Sequence, residues 1–416
     1  MTEGKEIRED ASLQTPLIGI PASTQMLNQS TPALREPLPV GKVPPGRGFD
    51  ESFSSAGMSP PVLKPEISTI YGALDLGTNN CRLIAVRPAP GGFAVIDTFS
   101  RIVRLGENMS KTGRLSTPAM NRAIDALKIC ADKMHRASVN RSRLIATEAC
   151  RAATNSDEFL ARVKTEAGLE LEIINRETEA YLAVAGCAPL LDCNSEWALV
   201  FDIGGGSSEL IWLDFTGQRR IAIDTPAERL SLLDSIAGWT SLPFGVVTLA
   251  ERFGGRNIDE ALYERMIESL RESLGEFDRR SDISARIRGR KISLLGTSGT
   301  VTTIAGVHLN LPFYNRKKVD GVMLQASDVR SVTRKLLQMG YEGRALEPCI
   351  GPDRADLVLA GCAILEAMLR LWPCQCLRVA DRGLREGILT TLMAEDETRA
   401  MAACVKSGGI AARFPG

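Results

Sequence analysis

The chain has 416 residues, 44% of them apolar and 24% charged, with 50 basic residues against 50 acidic ones. That length accommodates two domains with proper cores, and a net charge of zero argues against a nucleic-acid binder that relies on a broad basic face. No stretch approaches the 18 uninterrupted apolar residues of a membrane span, and the first ten residues mix both charge signs without an apolar run, so a cytoplasmic protein that partners neither membrane nor nucleic acid is expected.

Residues 1–66 hold ten of the 21 prolines and little periodic apolar pattern, which predicts a disordered Pro-rich extension. The folded part is expected to begin near Ile67. The segment Ala73 to Ile84 reads as a buried strand, a tight turn at Gly77-Thr78-Asn79 and a second strand, with Asp75 just before the turn. A strand at Phe93–Phe99 follows, then a helix with Thr117 as N-cap and Pro118 at its first position, whose apolar face carries Ile124, Leu127 and Met134. Leu144-Ile145-Ala146-Thr147 reads as a strand. Ser156 opens a helix with Phe159, Leu160 and Val163 inward, which Gly168 ends before a strand at Leu169–Ile174.

The theme then returns. Val200 to Ile211 repeats the first hairpin with Asp, Gly, Leu and Ile at the same offsets, giving strands at 197–203 and 208–213 around Gly204-Gly205-Gly206-Ser207. Helical segments are expected from Asp259 to Arg279, near 326–339 and near 353–372, with strands at Ile292–Gly296 and Cys376–Ala380 and a last helix at Leu384–Ala394. Gly296 to Thr300 is a third strand-to-helix glycine turn. Alternating strands and helices with a duplicated hairpin predict an α/β protein of two related halves facing one cleft.

The repeated turns carry the chemistry. Gly-rich turns leave backbone N–H groups uncovered and able to wrap an anionic oxygen, and the Asp before each turn supplies a hard oxygen suited to Mg2+, which binds through one or two carboxylates together with substrate phosphates. A glycine fingerprint followed by a helix, as in dinucleotide sites, is absent. The ten cysteines are scattered, and with two histidines in the whole chain the Cys374/Cys376 pair has no partners for a zinc site, so they read as reduced core thiols. His135 and His308 sit outside any Ser/His/Asp arrangement. The basic clusters Arg279-Arg280, Arg286 to Lys291 and Arg316-Lys317-Lys318 read as solvated surface, with capture of a polyanion as the alternative.

Nine sequence blocks, in order, resemble the exopolyphosphatase/guanosine pentaphosphate phosphohydrolase (Ppx/GppA) family in its short form: those starting at Asp75, Ser100 to Glu107, Ala146 to Asn155, Glu177 to Ala180, Asp202 to Glu209, Leu242 to Gly245, Gly296 to Thr300, Asp353 to Asp356 and Gly383 to Gly387. The resemblance spans roughly residues 70–395. It implies the fold of the actin, sugar-kinase and heat-shock-chaperone superfamily, with two RNase H-like domains facing a central cleft: domain I at 67–175 plus about 382–397, domain II at 176–381, and a tail at 398–416.

The resemblance also implies roles. Glu179 matches the catalytic glutamate that activates water, although the family commonly shows two adjacent glutamates there whereas this chain has Glu177-Thr178-Glu179, which leaves Glu177 as the alternative. Arg151 matches an arginine that meets substrate phosphate. Asp202 and Glu209 match acids around Mg2+ and the water, Asp75 matches the acid of the first loop and is a further candidate metal contact, and Gly77, Thr78 and Asn79 with Gly204, Gly205, Gly206 and Ser207 match the phosphate loops. The implied activity is Mg2+-dependent release of terminal phosphate from inorganic polyphosphate, guanosine pentaphosphate (pppGpp) or both, by a homodimer. An ATP-dependent kinase of the same superfamily and a non-enzymatic polyphosphate or alarmone sensor are the alternatives; a retained glutamate base favours catalysis.

Overall fold

The computed structural model describes residues 69–217, 223–290 and 292–406. The Pro-rich extension expected at 1–66 and the last ten residues lie outside them. Two mixed sheets organise the rest. The first has strand order β3-β2-β1-β4-β5, formed by β1 (Tyr71–Leu76), β2 (Asn80–Ala89), β3 (Gly92–Ile102), β4 (Arg141–Ala146) and β5 (Glu172–Ile173). The second contains β6 (Trp197–Ile203), β7 (Ser208–Asp214), β8 (Ile236–Leu242), β9 (Ser293–Thr297), β10 (Met323–Gln325) and β11 (Cys376–Ala380) in the order β10-β11-β9-β6-β7-β8.

The duplicated sequence pattern is a duplicated topology. β1 pairs antiparallel with β2 and parallel with β4, and β6 pairs antiparallel with β7 and parallel with β9. Each hairpin closes with the same bond across a four-residue turn: Gly77 N–H to Asn80 O at 2.9 Å, and Gly204 N–H to Ser207 O at 3.0 Å. β1 and β6 are apolar on both faces because each sheet is covered by helices on both sides, so they read as near-continuous hydrophobic runs. On the first sheet the Thr117–Arg136 helix packs Met120, Ile124 and Leu127 against Leu74, Leu76 and Leu83. The opposite face carries Ile388, Leu389 and Leu392 of the C-terminal helix.

Two helices run between the sheets' cores and meet backbone to backbone. Arg176–Cys187 crosses Leu384–Lys406 where Gly186 faces Gly387: a Cβ on Gly186 would stand 1.9 Å from Gly383 O, and one on Gly387 2.0 Å from Leu182 O. Only glycine permits that approach.

Several elements differ from the sequence expectation. Ser116, not Thr117, caps the start of its helix, accepting from Ala119 N–H, because an extended backbone at Ser116 precedes the Pro-containing first turn. The 259–279 segment is two helices, Glu260–Glu268 and Arg271–Ser281. The helix expected from 353 begins at Val358, after turns at 352–357 that serve the site. The strand expected at Leu169–Ile174 is reduced to β5, and the helix expected to stop at Ala394 continues to Lys406. The Arg176–Cys187 helix and β8 were not foreseen as elements. None of the described helices is long and apolar enough to cross a membrane, and the nine described cysteines form no disulfide.

Candidate active site

The ends of β1, β6 and β9, the first turn of the Arg176–Cys187 helix and the start of the C-terminal helix converge on one pocket of about 1130 Å3, its open mouth included. Asp75, Gly77, Thr78, Asn79, Glu179, Asp202, Gly204, Gly205, Gly206 and Ser207 all line it. Both hairpin turns therefore face the same space.

Backbone bonding explains what the turns present. Thr78 O accepts from Gly106 N–H at 3.0 Å, Gly204 O from Val246 N–H at 2.9 Å and Gly205 O from Val247 N–H at 2.8 Å. In a planar trans peptide the next N–H points opposite to the carbonyl, so the N–H groups of Asn79, Gly205 and Gly206 turn away from those supports; none of them donates to an acceptor among the described residues, and all three residues line the pocket. Gly245 allows the second turn to be clamped this closely, since a Cβ there would lie 2.3 Å from the Gly205 carbonyl. Asn79 Oδ1, Asn80 Oδ1 and Ser298 Oγ are buried without a hydrogen-bond partner among the described residues, and all three residues line the pocket. Ser298 belongs to the third glycine turn; at φ 93 it starts the Gly299–His308 helix in a backbone region nearly reserved for glycine.

Glu179 is placed by its helix start. Asn175 caps the helix by accepting from Thr178 N–H at 2.7 Å, which sets Glu179 inward, buried at the pocket wall. Glu177 is exposed and accepts from the Tyr181 hydroxyl at 2.9 Å. The geometry thus separates the two glutamates. Arg151 donates from Nη2 to Glu179 Oε2 at 2.9 Å and to Glu148 Oε2 at 2.6 Å, and from Nη1 to Ile174 O at 2.7 Å, while Arg176 reaches Glu148 Oε1 at 2.8 Å. Arg151 does not line the pocket; its fork is taken up by the protein and fixes Glu179 from behind.

Glu209 is also behind the wall, with Ser207 Oγ and Ser241 Oγ both donating to its Oε1 at 2.8 Å and no donor on Oε2 among the described residues. The acids strain one another. Burial, then Glu209 and Asp75, push Asp202 up to about 7, with Arg82 opposing. Burial followed by Glu209 raises Glu179 well above the usual carboxylate range, against the pull of Arg151. Burial likewise raises Asp75 and Glu209. Among the described residues no three acids, cysteines or histidines gather as a self-sufficient metal cluster. A hard cation that takes one or two carboxylates and completes its shell with water and phosphate nevertheless suits the mutually repelling, pocket-lining carboxylates of Asp202 and Asp75.

The sequence-model comparison matches residues 84–396 to the Ppx/GppA phosphatase family. The chain belongs to that family. Among solved structures, the Aquifex aeolicus Ppx/GppA family member is 29% identical, with 79% of this chain and 98% of that chain covered and a TM-score of 0.61. An exopolyphosphatase-like protein is 25% identical over 80% of this chain and 100% of that one, with a TM-score of 0.70. An exopolyphosphatase from Cytophaga hutchinsonii is 23% identical, covers 79% and 98%, and has a TM-score of 0.67, a likeness of fold. The two sheets are accordingly those of an actin-like Ppx/GppA fold.

For a Ppx/GppA phosphatase, the residues that sequence reasoning passed over are mostly basic. Arg82, Arg354, Arg382 and Arg385 line the pocket together with Glu148, Asp381 and Glu386. Burial, and then Arg82, hold the Arg354 pKa below its ordinary value, and burial does the same for Arg385. Arg382 is tied to Asp320, and Arg316 of the basic 316–318 cluster to Glu386 at 2.6 Å, whereas the side chains of Arg82, Arg354 and Arg385 make no hydrogen bond or ion pair among the described residues. Each lies inside a family block or the first hairpin repeat, which was the available signal. The other two basic clusters are local: Arg280 donates to Trp239 O, and Arg290 pairs with Glu196.

Proposed function

We propose that this protein is a Mg2+-dependent phosphohydrolase that releases terminal phosphate from inorganic polyphosphate, from guanosine pentaphosphate, or from both. The observation that carries the reading is a set of donors without hydrogen-bonded partners: the side chains of Arg82, Arg354 and Arg385 and the N–H groups of the two turns belong to residues that line the pocket holding the buried Glu179. A chain of phosphates supplies the anionic oxygens that such donors lack.

Transfer of a terminal phosphoryl group to water needs in-line attack, a base within reach and fixed positive charge on the phosphoryl oxygens. The turn N–H groups at Asn79, Gly205 and Gly206 bind those oxygens, and the unpaired arginines hold the phosphates further along the chain. Glu179 takes the proton from the attacking water; Arg151, through its 2.9 Å bond, holds that carboxylate in one orientation. Asp202, with Glu209 or Asp75, would hold the Mg2+. The ion would supply positive charge at the phosphoryl oxygens and offset the repulsion among the buried acids.

The test is phosphate release by purified protein with Mg2+, given long-chain polyphosphate, guanosine pentaphosphate and ATP separately, each beside Glu179→Ala. Release from either of the first two, lowered about a thousandfold by the substitution while binding persists, is expected. Turnover of ATP alone, indifferent to Glu179, would move the protein to the kinase reading, and tight binding without turnover to the sensor reading.

A further inference from the structure

The block Ser100 to Glu107 and the block Asp353 to Asp356, which carries Arg354, are joined by a side chain without a role above, that of Arg104. Arg104 Nη1 and Nη2 each meet one oxygen of Asp356 at 3.0 Å, and Nη2 also donates to Asp353 O at 2.9 Å. The guanidinium therefore grips the turn on both sides of Arg354. That turn is short: Leu357 N–H and Val358 N–H both return to Arg354 O, at 2.9 and 3.0 Å, so Arg354 cannot shift without moving its neighbours.

The other end of Arg104 is fixed to the first phosphate turn. Its N–H and that of Val103 donate to Asn79 O at 3.1 and 2.8 Å, and Gly106 N–H donates to Thr78 O. Arg104 itself is held at φ 47, a left-handed backbone that an arginine seldom adopts, and this conformation lets one residue support the turn with its backbone while its side chain reaches across to the second sheet's segment. The side chains are partly screened, 34% and 24% exposed, and the fork geometry is one that lysine cannot reproduce.

We propose that Arg104 is a positioning residue: through its two-pronged pair with Asp356 it sets the distance between Arg354 and the phosphate turn at Asn79, and so tunes how a phosphate chain is gripped. This rests on the phosphate-chain reading above, for which Arg354 is one of the unpaired cations. Arg104 touches no substrate and acts only through Arg354 and the turn.

Epistasis distinguishes this from a merely structural bond. Arg104→Ala, Arg104→Lys, Asp356→Asn, Arg354→Ala and the double variant Arg104→Ala/Arg354→Ala are compared for affinity toward inorganic tripolyphosphate, in Mg2+ by calorimetry, and for phosphate release from long-chain polyphosphate. Arg104→Ala and Asp356→Asn are each expected to weaken tripolyphosphate binding about tenfold, with Arg104→Lys no better than alanine, and Arg104→Ala to have little further effect once Arg354 is gone. Unchanged affinity in Arg104→Ala, or an equal loss with and without Arg354, would overturn the proposal. So would full rescue by lysine. Melting curves for every variant identify any that fails to fold, and the Asp356→Asn and Arg104→Lys results then stand in its place. If the wild type binds tripolyphosphate but hydrolyses nothing, the phosphohydrolase reading fails while the affinities still decide the role of Arg104; if it binds no tripolyphosphate, both fail.

Discussion

At the residue scale, the site is defined by acids placed where they repel one another. Asp202 titrates near 7 rather than near its ordinary 3.8, chiefly through burial and then through Glu209 and Asp75. A carboxyl whose pKa is raised by folding binds protons more tightly in the folded protein, so its contribution to stability falls as the pH rises from about 4 through 7 and stays low above. Asp202→Asn is therefore expected to be more stable than the parent at pH 8 in the presence of a chelator, by on the order of 1 kcal/mol once partial solvation at the pocket is allowed for, and equal to it near pH 4. Melting temperatures measured across that range check the sign, and the same variant is expected to release no phosphate. Arg151 gives a second prediction. Burial works against its charge, but Glu179 and Glu148 outweigh it and hold its pKa above the ordinary value; the charge in turn pulls Glu179 down, and the fork adds an orientation that charge alone does not give. Lysine cannot bond Glu179, Glu148 and the Ile174 carbonyl together, so Arg151→Lys is expected to lower phosphate release by about a hundredfold with a smaller effect on substrate binding, read as a fall in kcat against a modest change in KM.

At the scale of elements, the hairpins were legible because they obey local rules. Their first strands, β1 and β6, are continuous apolar runs, their turns are glycine-rich, and an acid sits at a fixed offset in each copy, so sequence alone identified both hairpins. The Arg176–Cys187 helix was not legible as a helix. From Glu179 to Cys187 every residue except Tyr181 is buried, and a helix buried all round carries no polar face by which 3.6-residue periodicity shows itself. β8 escaped for a different reason: Ile236 to Leu242 alternates weakly and contains Gly238, so its pairing with β7 is decided by the neighbouring strand. The unpaired arginines were hidden because Arg82, Arg354 and Arg385 are far apart in sequence and meet only when the two sheets are in place. The crossing of the two long helices yields a stability prediction. Gly387→Ala would force a Cβ to within 2.0 Å of the Leu182 carbonyl, and a loss of about 3 kcal/mol or more is expected by urea denaturation, whereas Gly289→Ala, whose Cβ meets nothing but whose φ is positive, is expected to cost about 1 kcal/mol.

For the molecule as a whole, every residue placed at the pocket falls between Asp75 and Glu386. Removing residues 1–66 is therefore expected to leave the specific activity of phosphate release unchanged, and a large fall would assign that segment a part in the reaction. The fold also separates two jobs. The sheets supply the turns, which line one pocket, while the Arg176–Cys187 and Leu384–Lys406 helices carry the base and the Arg385 cation on their first turns. Those helices touch at Gly186 and Gly387, and the point of contact is unequally placed. At 1.5 Å per residue, Glu179 stands about 10 Å along its helix from the crossing, whereas Arg385 stands about 3 Å along its own. The tight contact therefore anchors the arginine closely and the glutamate only at a distance, so the place of the base is set at its own end of the helix, by the Asn175 cap and the Arg151 bond.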